Sequence, residues 1–335
     1  MATEHNPKLT SVEITQMWSA YMTNSLSTCV FKYFLNGVED QSVKEIIQFA
    51  LDLSKTNNEI LKELFEREDY PAPIGFSEKE DVDIHAPKLF SDSYILNNVR
   101  DMAGIGMNTY GACIGLTARD DVYEFFSNCF AKTNRLHRLA NNLMLEKGIY
   151  IRSPYLQAPK KPEYVKKQGF LTGWFGERRP LTGMEITSLY ANIQRNTLGS
   201  STLIGFSQVA QSKEVKKFTI RGKEIAAKHI EIFGSLLNEE SLPTPMSWSS
   251  EVTENTSFVF SDKLIMFETT SLITTSIGYY GLALAQSMRR DLSTHFTRLT
   301  AEIMKYAEDG ANIMINNGWF EEPPMAPNRS DLADG

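Results

Sequence analysis

The sequence has 335 residues and a mass of 37.9 kDa, with 42% hydrophobic and 22% charged residues, 20 glycines and 13 prolines. This composition is that of a folded globular protein and excludes the collagen-like, low-complexity and largely disordered classes. A formal net charge of −7 and a pI near 5.4 argue against a polyanionic partner, so we expect no nucleic-acid binding.

Cysteine usage and the N-terminal residues indicate the compartment. The three cysteines include no Cys-x-x-Cys pair and are odd in number, which does not suit a disulfide framework and indicates a reducing environment. Residues 1–8 are polar and lack the basic-then-apolar layout of a secretory signal. We therefore expect a cytoplasmic protein.

The chain contains an internal repeat of about 170 residues. The motif LTxxEIT at residues 9–15 recurs at residues 181–187, an offset of 172. Further motifs recur at this offset or, after a two-residue slip, at an offset of 170: PxP at 71–73 and 243–245, FSD at 90–92 and 260–262, YG at 110–111 and 280–281, and RxD at 119–121 and 289–291. A period of this size is that of a complete domain, so the sequence indicates a duplicated domain.

Each repeat is predicted to contain four long helices, because apolar residues recur at alternating spacings of three and four. Thr10 with Glu13, and Thr182 with Glu185, have the spacing of capping boxes, and Gly148 and Gly318 are placed to end helices. In chain order the predicted helices are 11–37, 40–68, 91–117 and 119–147 in the first repeat and 183–210, 212–239, 261–287 and 289–317 in the second.

The lengths of the connections predict the topology. Helices one and two, and helices three and four, are joined by only a few residues and should form antiparallel hairpins. The middle connections, 69–90 and 240–260, are long enough to travel the length of a bundle, and one long crossover is the ferritin-like arrangement. We therefore predict an all-α protein with two tandem ferritin-like four-helix bundles, each with a long crossover between helices two and three. The predicted domains are the first bundle at 8–152, a linker at 153–180, the second bundle at 181–322 and a tail at 323–335.

These motifs carry a resemblance to a known family. The LTxxEIT start, the PxP crossover, the FSD cap, the stretch at 212–226 and the MRRDL turn at 288–292 together resemble a tandem-repeat family of unknown function from endospore-forming bacteria, the domain of unknown function 3231 family, which is assigned to the ferritin-like superfamily. The resemblance covers nearly the whole chain. It implies two ferritin-like bundles and a bacterial setting that is cytoplasmic or spore-associated, and it implies no activity and no catalytic residues.

The segment Thr269–Met288 runs for twenty residues without a charge, the length that a membrane span requires. Its many hydroxyl side chains weaken the hydropathy signal, and Glu268 immediately precedes it. We predict a fully buried helix of a globular protein rather than a membrane span.

A metal site is the alternative to a purely structural interior. Ferritin-like di-iron enzymes use Glu-x-x-His pairs, and none of the five histidines of this chain lies in one. The second repeat nevertheless has Asn196, His229, His295 and Glu302 at interior positions, of which Asn196, His229 and Glu302 should lie near mid-height. Imidazole and carboxylate suit Fe, Mn or Zn, so the candidate ligands are His229, Glu302, His295 and Glu268. The competing interpretation is that these are hydrogen-bonded core residues without a ligand.

The first repeat serves as an internal control for this site. The positions aligned with Asn196, His229, His295 and Glu302 hold, in that order, Asn24, Asn57, Phe125 and Lys132. Only the asparagine is kept, so a metal site, if present, belongs to the second repeat.

The surfaces supply the remaining hypotheses. Helix three of both repeats is rich in small residues, which predicts close packing between the bundles or in a homo-oligomer. The aromatic residues Phe170, Trp174 and Phe175 predict that the linker docks on a bundle, and its four lysines offer a basic partner-binding strip. The leading functional hypothesis is a non-enzymatic structural or binding protein linked to sporulation or stress, and the second is a metal-binding protein or metal-dependent oxidoreductase.

Overall fold

The computed structural model describes residues 7–174 and 178–329, and within these ranges the protein is all-α. The predicted long helices are confirmed to within a few residues at each end. In addition, a four-residue helix, α3, lies in the first crossover and a 3₁₀ turn, Ser249–Glu251, in the second. The helices are α1 Ser11–Gly37, α2 Gln41–Arg67, α3 Glu78–Asp81, α4 Asp92–Ile114, α5 Asp120–Glu146, α6 Gly183–Val209, α7 Lys213–Asn238, α8 Asp262–Gln286 and α9 Arg290–Asn316.

Both predicted capping boxes are present at the starts of α1 and α6. The hydroxyl oxygen of Thr10 accepts from the backbone N–H of Glu13 at 3.3 Å, and the Glu13 carboxylate accepts from the backbone N–H of Thr10 at 2.8 Å. Thr182 and Glu185 repeat this pattern at α6. The glycines that follow α5 and α9 both have a φ of 69°, the left-handed conformation that ends a helix: Gly148 and Gly318.

The described residues form two compact units. The first unit comprises residues 7–85, 99–143 and 318–329, and the second comprises residues 86–98, 144–174 and 178–317. Three segments therefore pack with the unit of the other repeat: residues 86–98, which end the first crossover and begin α4, the end of α5 with the residues that follow it, and the residues after α9.

In the second unit, α6, α7, α8 and α9 surround one hydrophobic core. The rings of Phe233, Tyr280 and Phe296, from α7, α8 and α9, lie with centroids 5.1–5.9 Å apart at its centre. The core of the first unit is built in the same way and includes Met17, Phe65 and Phe126. Cys113 and Cys129 are buried in that core as small apolar residues.

The two crossovers meet within the second unit. Phe90 and Val252 form an isolated antiparallel bridge. The backbone N–H of Thr253 donates to the carbonyl of Leu89 at 2.9 Å, and the N–H of Ser91 donates to that of Glu251 at 2.9 Å. The end of the first crossover is thereby held by the second.

The segments that follow α5 and α9 extend beyond these helices, and we call them arms. The arm after α5 belongs to the second unit, where the hydroxyl of Tyr190 donates to the carbonyls of Ile151 and Arg152 at 3.2 and 3.0 Å. The arm after α9 belongs to the first unit, where the carboxylate of Glu321 accepts from the N–H groups of Ile74 and Gly75 at 2.7 and 3.1 Å.

The predicted buried helix, α8, is buried on one face only. Leu264, Ile273 and Tyr280 face the core, whereas Gly278 and Leu282 are exposed, because small or lone apolar residues can face water at little cost. Across the described ranges, none of the helices combines the length and the apolar composition needed to cross a membrane.

The end of the linker nearer α6 is docked. Trp174 lies 5.9 Å from the ring of His295 on α9, so docking is confirmed there, and within the linker the guanidinium of Arg179 lies 4.0 Å from the centre of the Phe170 ring. Phe175 lies outside the described residues. Residues 155–167 are exposed and form no helix, although the side chain of Leu156 reaches Gly183 at the start of α6.

Candidate functional site

A chain of polar side chains crosses the core of the second unit. The amide nitrogen of Asn196 lies 2.8 Å from the hydroxyl of Tyr280, which lies 2.8 Å from Nδ1 of His229. Nε2 of His229 lies 3.3 Å from a carboxylate oxygen of Glu302. The four side chains come from α6, α8, α7 and α9 in that order, so the expected convergence of Asn196, His229 and Glu302 is confirmed.

The hydrogen-bond partners indicate where the protons lie. The Asn196 amide donates to the Tyr280 oxygen, which leaves the phenolic proton for Nδ1 of His229. Nδ1 is then an acceptor and Nε2 carries the imidazole proton, which it donates to Glu302. Each side chain thus donates a hydrogen bond to the next, from Asn196 to Glu302, and both ring nitrogens of His229 are hydrogen-bonded.

Burial governs the ionisation of His229, which is fully buried. Burial lowers its pKa, and the charges of Lys228 and Arg298 lower it further, while Glu302 opposes them. Burial likewise raises the pKa of Tyr280, although the Asn196 hydrogen bond opposes this. The interior of this site is therefore neutral at pH 7, with a neutral imidazole beside a neutral phenol.

At the protein surface, this series of hydrogen bonds ends in an ion pair. The ammonium of Lys228 lies 2.7 and 2.9 Å from the two carboxylate oxygens of Glu302. Burial raises the pKa of Glu302, but its bonds to Lys228 and His229 outweigh burial and hold the pKa below its usual value. Glu302 thus stays ionised and is the only partly exposed acceptor in this chain of bonds, with 31% of its side chain accessible.

The first unit contains a shorter version of the same network. The amide nitrogen of Asn24 lies 3.4 Å from the hydroxyl of Tyr110, and the amide of Asn57 donates to Asn24 at 3.2 Å. Asn57 occupies the position of His229, and Lys132 that of Glu302. The Asn–Tyr pair is therefore common to both units, and the His–Glu pair is specific to the second.

The other two predicted ligands lie elsewhere. His295 is half-buried against Trp174, and its pKa is lowered first by burial and then by Arg298. Glu268 is half-buried on α8, where burial raises its pKa to about 7. Among residues 7–174 and 178–329, no three His, Cys, Asp or Glu side chains are grouped closely enough to hold a metal ion. The structure therefore brings together His229 and Glu302 of the four candidates, and the metal site stays a prediction.

Sequence reasoning missed two members of the network, Tyr280 and Lys228. The signal for the first was available, because Tyr110 and Tyr280 recur at equivalent positions of the two repeats. Lys228 gave no such signal, since a lysine beside an interior histidine is indistinguishable from any solvated surface lysine.

Comparison with known proteins identifies the family. The sequence profile of the family described as "Protein of unknown function (DUF3231)" matches residues 1–161 and 169–332. The chain belongs to this family. The two matches coincide with the two repeats, so the tandem duplication is confirmed.

One solved structure is similar to part of the chain. It is a protein from Bacillus halodurans described as "a putative spore coat protein", which is 24% identical over 45% of this chain and 98% of its own, with a TM-score of 0.39. No curated protein matches the chain.

Proposed function

We propose that this protein is a non-catalytic helical protein that works through its surfaces, with a role linked to sporulation or stress. The observation that carries this proposal is the use of both ring nitrogens of His229 by protein groups, Tyr280 and Glu302. A polar chain whose members satisfy one another fixes the packing of four helices and leaves its histidine no nitrogen for a ligand.

The fold within this proposal is a ferritin-like four-helix bundle in each repeat. Its support is the single core formed by α6–α9 and the long connection between α7 and α8. The link to sporulation rests on the resemblance of the sequence motifs to a family of endospore-forming bacteria. A protein level that rises in the host during spore formation would support it.

The alternative is a metal-binding protein or metal-dependent oxidoreductase with a site at His229 and Glu302. The contact that favours it is the 3.3 Å approach of an imidazole nitrogen to a carboxylate, a pair that suits Zn, Fe or Mn. Binding there would require Nε2 to lose its proton and Glu302 to exchange Lys228 for the metal.

Elemental analysis of untagged protein, produced with iron, manganese and zinc supplied, tests the two functions. The structural function predicts only trace metal in the parent and in the His229→Ala/His295→Ala double variant. Near-stoichiometric metal in the parent that disappears in the double variant would overturn it.

The His229→Asn variant provides a matched control, because the first unit already uses asparagine there, at Asn57. Under the structural function this variant folds, retains the parent's oligomeric state and loses about 1–3 kcal/mol of stability, since Glu302 and Tyr280 each lose a partner. The measurement is urea unfolding followed by circular dichroism.

A further inference from the structure

Residues 153–167 of the linker form a basic segment with exposed apolar side chains. Tyr164 is 94% exposed, Tyr155 87%, Val165 63% and Leu156 51%, the last of these lying beside Gly183. Single exposed apolar residues are ordinary, but four within fifteen residues are typical of a surface that binds a partner. We call residues 153–167 the basic segment.

The charge of the basic segment is opposite to that of the rest of the chain. Its four lysines and single glutamate give it a formal charge of +3: Lys160, Lys161, Lys166, Lys167 and Glu163. Removing this +3 from the −7 of the whole chain leaves −10 on the other residues. A long polyanion that reached the segment would also meet this negative charge, which disfavours nucleic acid as its partner.

A complementary surface exists on α2. Five exposed carboxylates lie within a sector of about 60° around the helix axis, since residues seven apart nearly superimpose at 3.6 residues per turn. Lysines of the same helix lie outside this sector, along one flank, from which Lys62 approaches Glu66 at 3.8 Å in an exposed ion pair. The carboxylates, which we call the acidic stripe, are Glu45, Asp52, Glu59, Glu63 and Glu66.

The complete acidic stripe is found only in the first repeat. The equivalent helix of the second repeat, α7, keeps two carboxylates, Glu224 and Glu231, but has Lys217 at the position of Glu45. Ser235 and Asn238 stand at the positions of Glu63 and Glu66, so the outer faces of the two helices differ in charge.

We propose that the basic segment of one copy of this protein binds along the acidic stripe of a second copy. Lys160 to Lys167 span up to about 25 Å when extended, and the stripe is about 30 Å long at 1.5 Å per residue, so the lysines have carboxylates opposite them along their whole length. Ile60, which is 38% exposed beside the stripe, offers the tyrosines an apolar contact. This inference rests on the proposed function and names the surface through which it acts.

The contact has a consequence for assembly. The basic segment and the acidic stripe are different surfaces, so after one contact forms one copy keeps its acidic stripe unused and the other keeps its basic segment unused. Such head-to-tail contacts either close into a ring or continue as a filament.

Charge exchange in the full-length protein tests this proposal. One variant carries glutamate at the four lysines of the basic segment, and a second carries lysine at Glu45, Asp52, Glu59 and Glu66. The parent should self-associate at low salt and dissociate at high salt, as measured by sedimentation velocity. Each variant alone should associate more than about tenfold more weakly. An equimolar mixture should regain a heterodimer, because the native stripe of the first variant meets the native segment of the second and the two reversed surfaces also pair.

Two matched variants complete the test. Tyr155→Ser/Tyr164→Ser should weaken association without changing the charge, and Glu224→Lys/Glu231→Lys, at the equivalent positions of α7, should leave association unchanged. A parent that stays monomeric at low salt, or a mixture that does not regain a heterodimer, overturns this inference. So does tight binding of a single-stranded oligonucleotide that the segment variant loses and the stripe variant keeps. These results leave the proposed function standing, because that function fails on the metal analysis instead.

Discussion

At the scale of single residues, His229 shows how a duplicated core can diverge while its polar groups stay hydrogen-bonded. The Asn–Tyr pair is common to both repeats, and the third member is Asn57 in one and His229 in the other. The histidine is longer and has a second nitrogen, so it extends the bond chain to Glu302 and the surface. The first unit ends its network one residue earlier.

The rise per residue explains which part of this site was predictable. Interior positions of a helix follow from periodicity and their height from 1.5 Å per residue, which sufficed to bring His229 to Glu302. His295 lies seven residues from Glu302 on the same helix, about 10 Å along its axis, which is too far for a shared metal ion. The pairing of His229 with Tyr280 depends on side-chain rotamers, which periodicity does not specify.

Glu185 supplies a pH-dependent part of the stability. Burial raises its pKa, but hydrogen bonds from Arg179 and from the N–H groups of Thr182 and Arg289 outweigh burial and lower the pKa to about 2, from an ordinary 4.5. Because the folded pKa is depressed, this stabilisation is present above pH 4.5 and is lost as the pH falls towards 2. The shift corresponds to about 3 kcal/mol.

The expected result is that Glu185→Gln destabilises the protein at pH 7, and that its difference from the parent shrinks at pH 3. Urea unfolding at both pH values measures this. Glu13→Gln is the matched control: Glu13 caps α1 in the same way but has Pro7 at the position of Arg179, so its effect should be smaller. Equal effects of the two substitutions would contradict the role given to Arg179.

At the scale of the helices, glycine sets how closely α7 and α9 approach. A Cβ at Gly222 would lie 2.3 Å from the hydroxyl of Tyr306, whose ring stacks on Phe218 at 4.2 Å and whose hydroxyl donates to the Phe218 carbonyl at 2.8 Å. The helical periodicity of the sequence gives no distance between the two helices.

We expect Gly222→Ala to destabilise the protein by about 1–3 kcal/mol, because the added methyl forces Tyr306 out of its stacked position. Gly278→Ala is the control, since its Cβ would meet nothing within 4 Å and alanine favours the helix by about 0.5–1 kcal/mol. Thermal unfolding distinguishes the two. A stabilised Gly222→Ala variant would contradict the close approach.

The Gly278→Ala variant also tests the prediction that helix three forms a homo-oligomer interface. Gly278 lies on the exposed face of α8. If that face joined two copies, a methyl group there would weaken self-association. The basic segment and acidic stripe predict no such effect.

At the scale of the whole molecule, the repeat and its long helices were predictable, because both follow from the spacing of residues in the sequence. The packing of segments from one repeat with the unit of the other repeat was not predictable. Alignment assigns residues 86–98 and 318–329 to the repeat in which they occur, whereas extended segments pack wherever their hydrogen-bond groups find partners.

The arm after α9 can be tested at Glu321. Glu321→Ala should cost about 1 kcal/mol and speed amide exchange at Ile74 and Gly75, because their N–H groups lose the carboxylate that accepts from them. Hydrogen exchange measures this directly. The neighbouring Glu322→Ala is the control, and equal exchange rates in both variants would contradict the contact.

The arm after α9 also determines when the first unit can be completed during protein synthesis. A chain leaves the ribosome N-terminus first, so α1, α2 and α5 emerge well before residues 318–329, which belong to the same unit. The first unit is thus begun before the second unit and completed after it. Its contacts with residues 318–329 wait until those residues have been translated, so products truncated before them would expose an unfinished first unit to proteolysis.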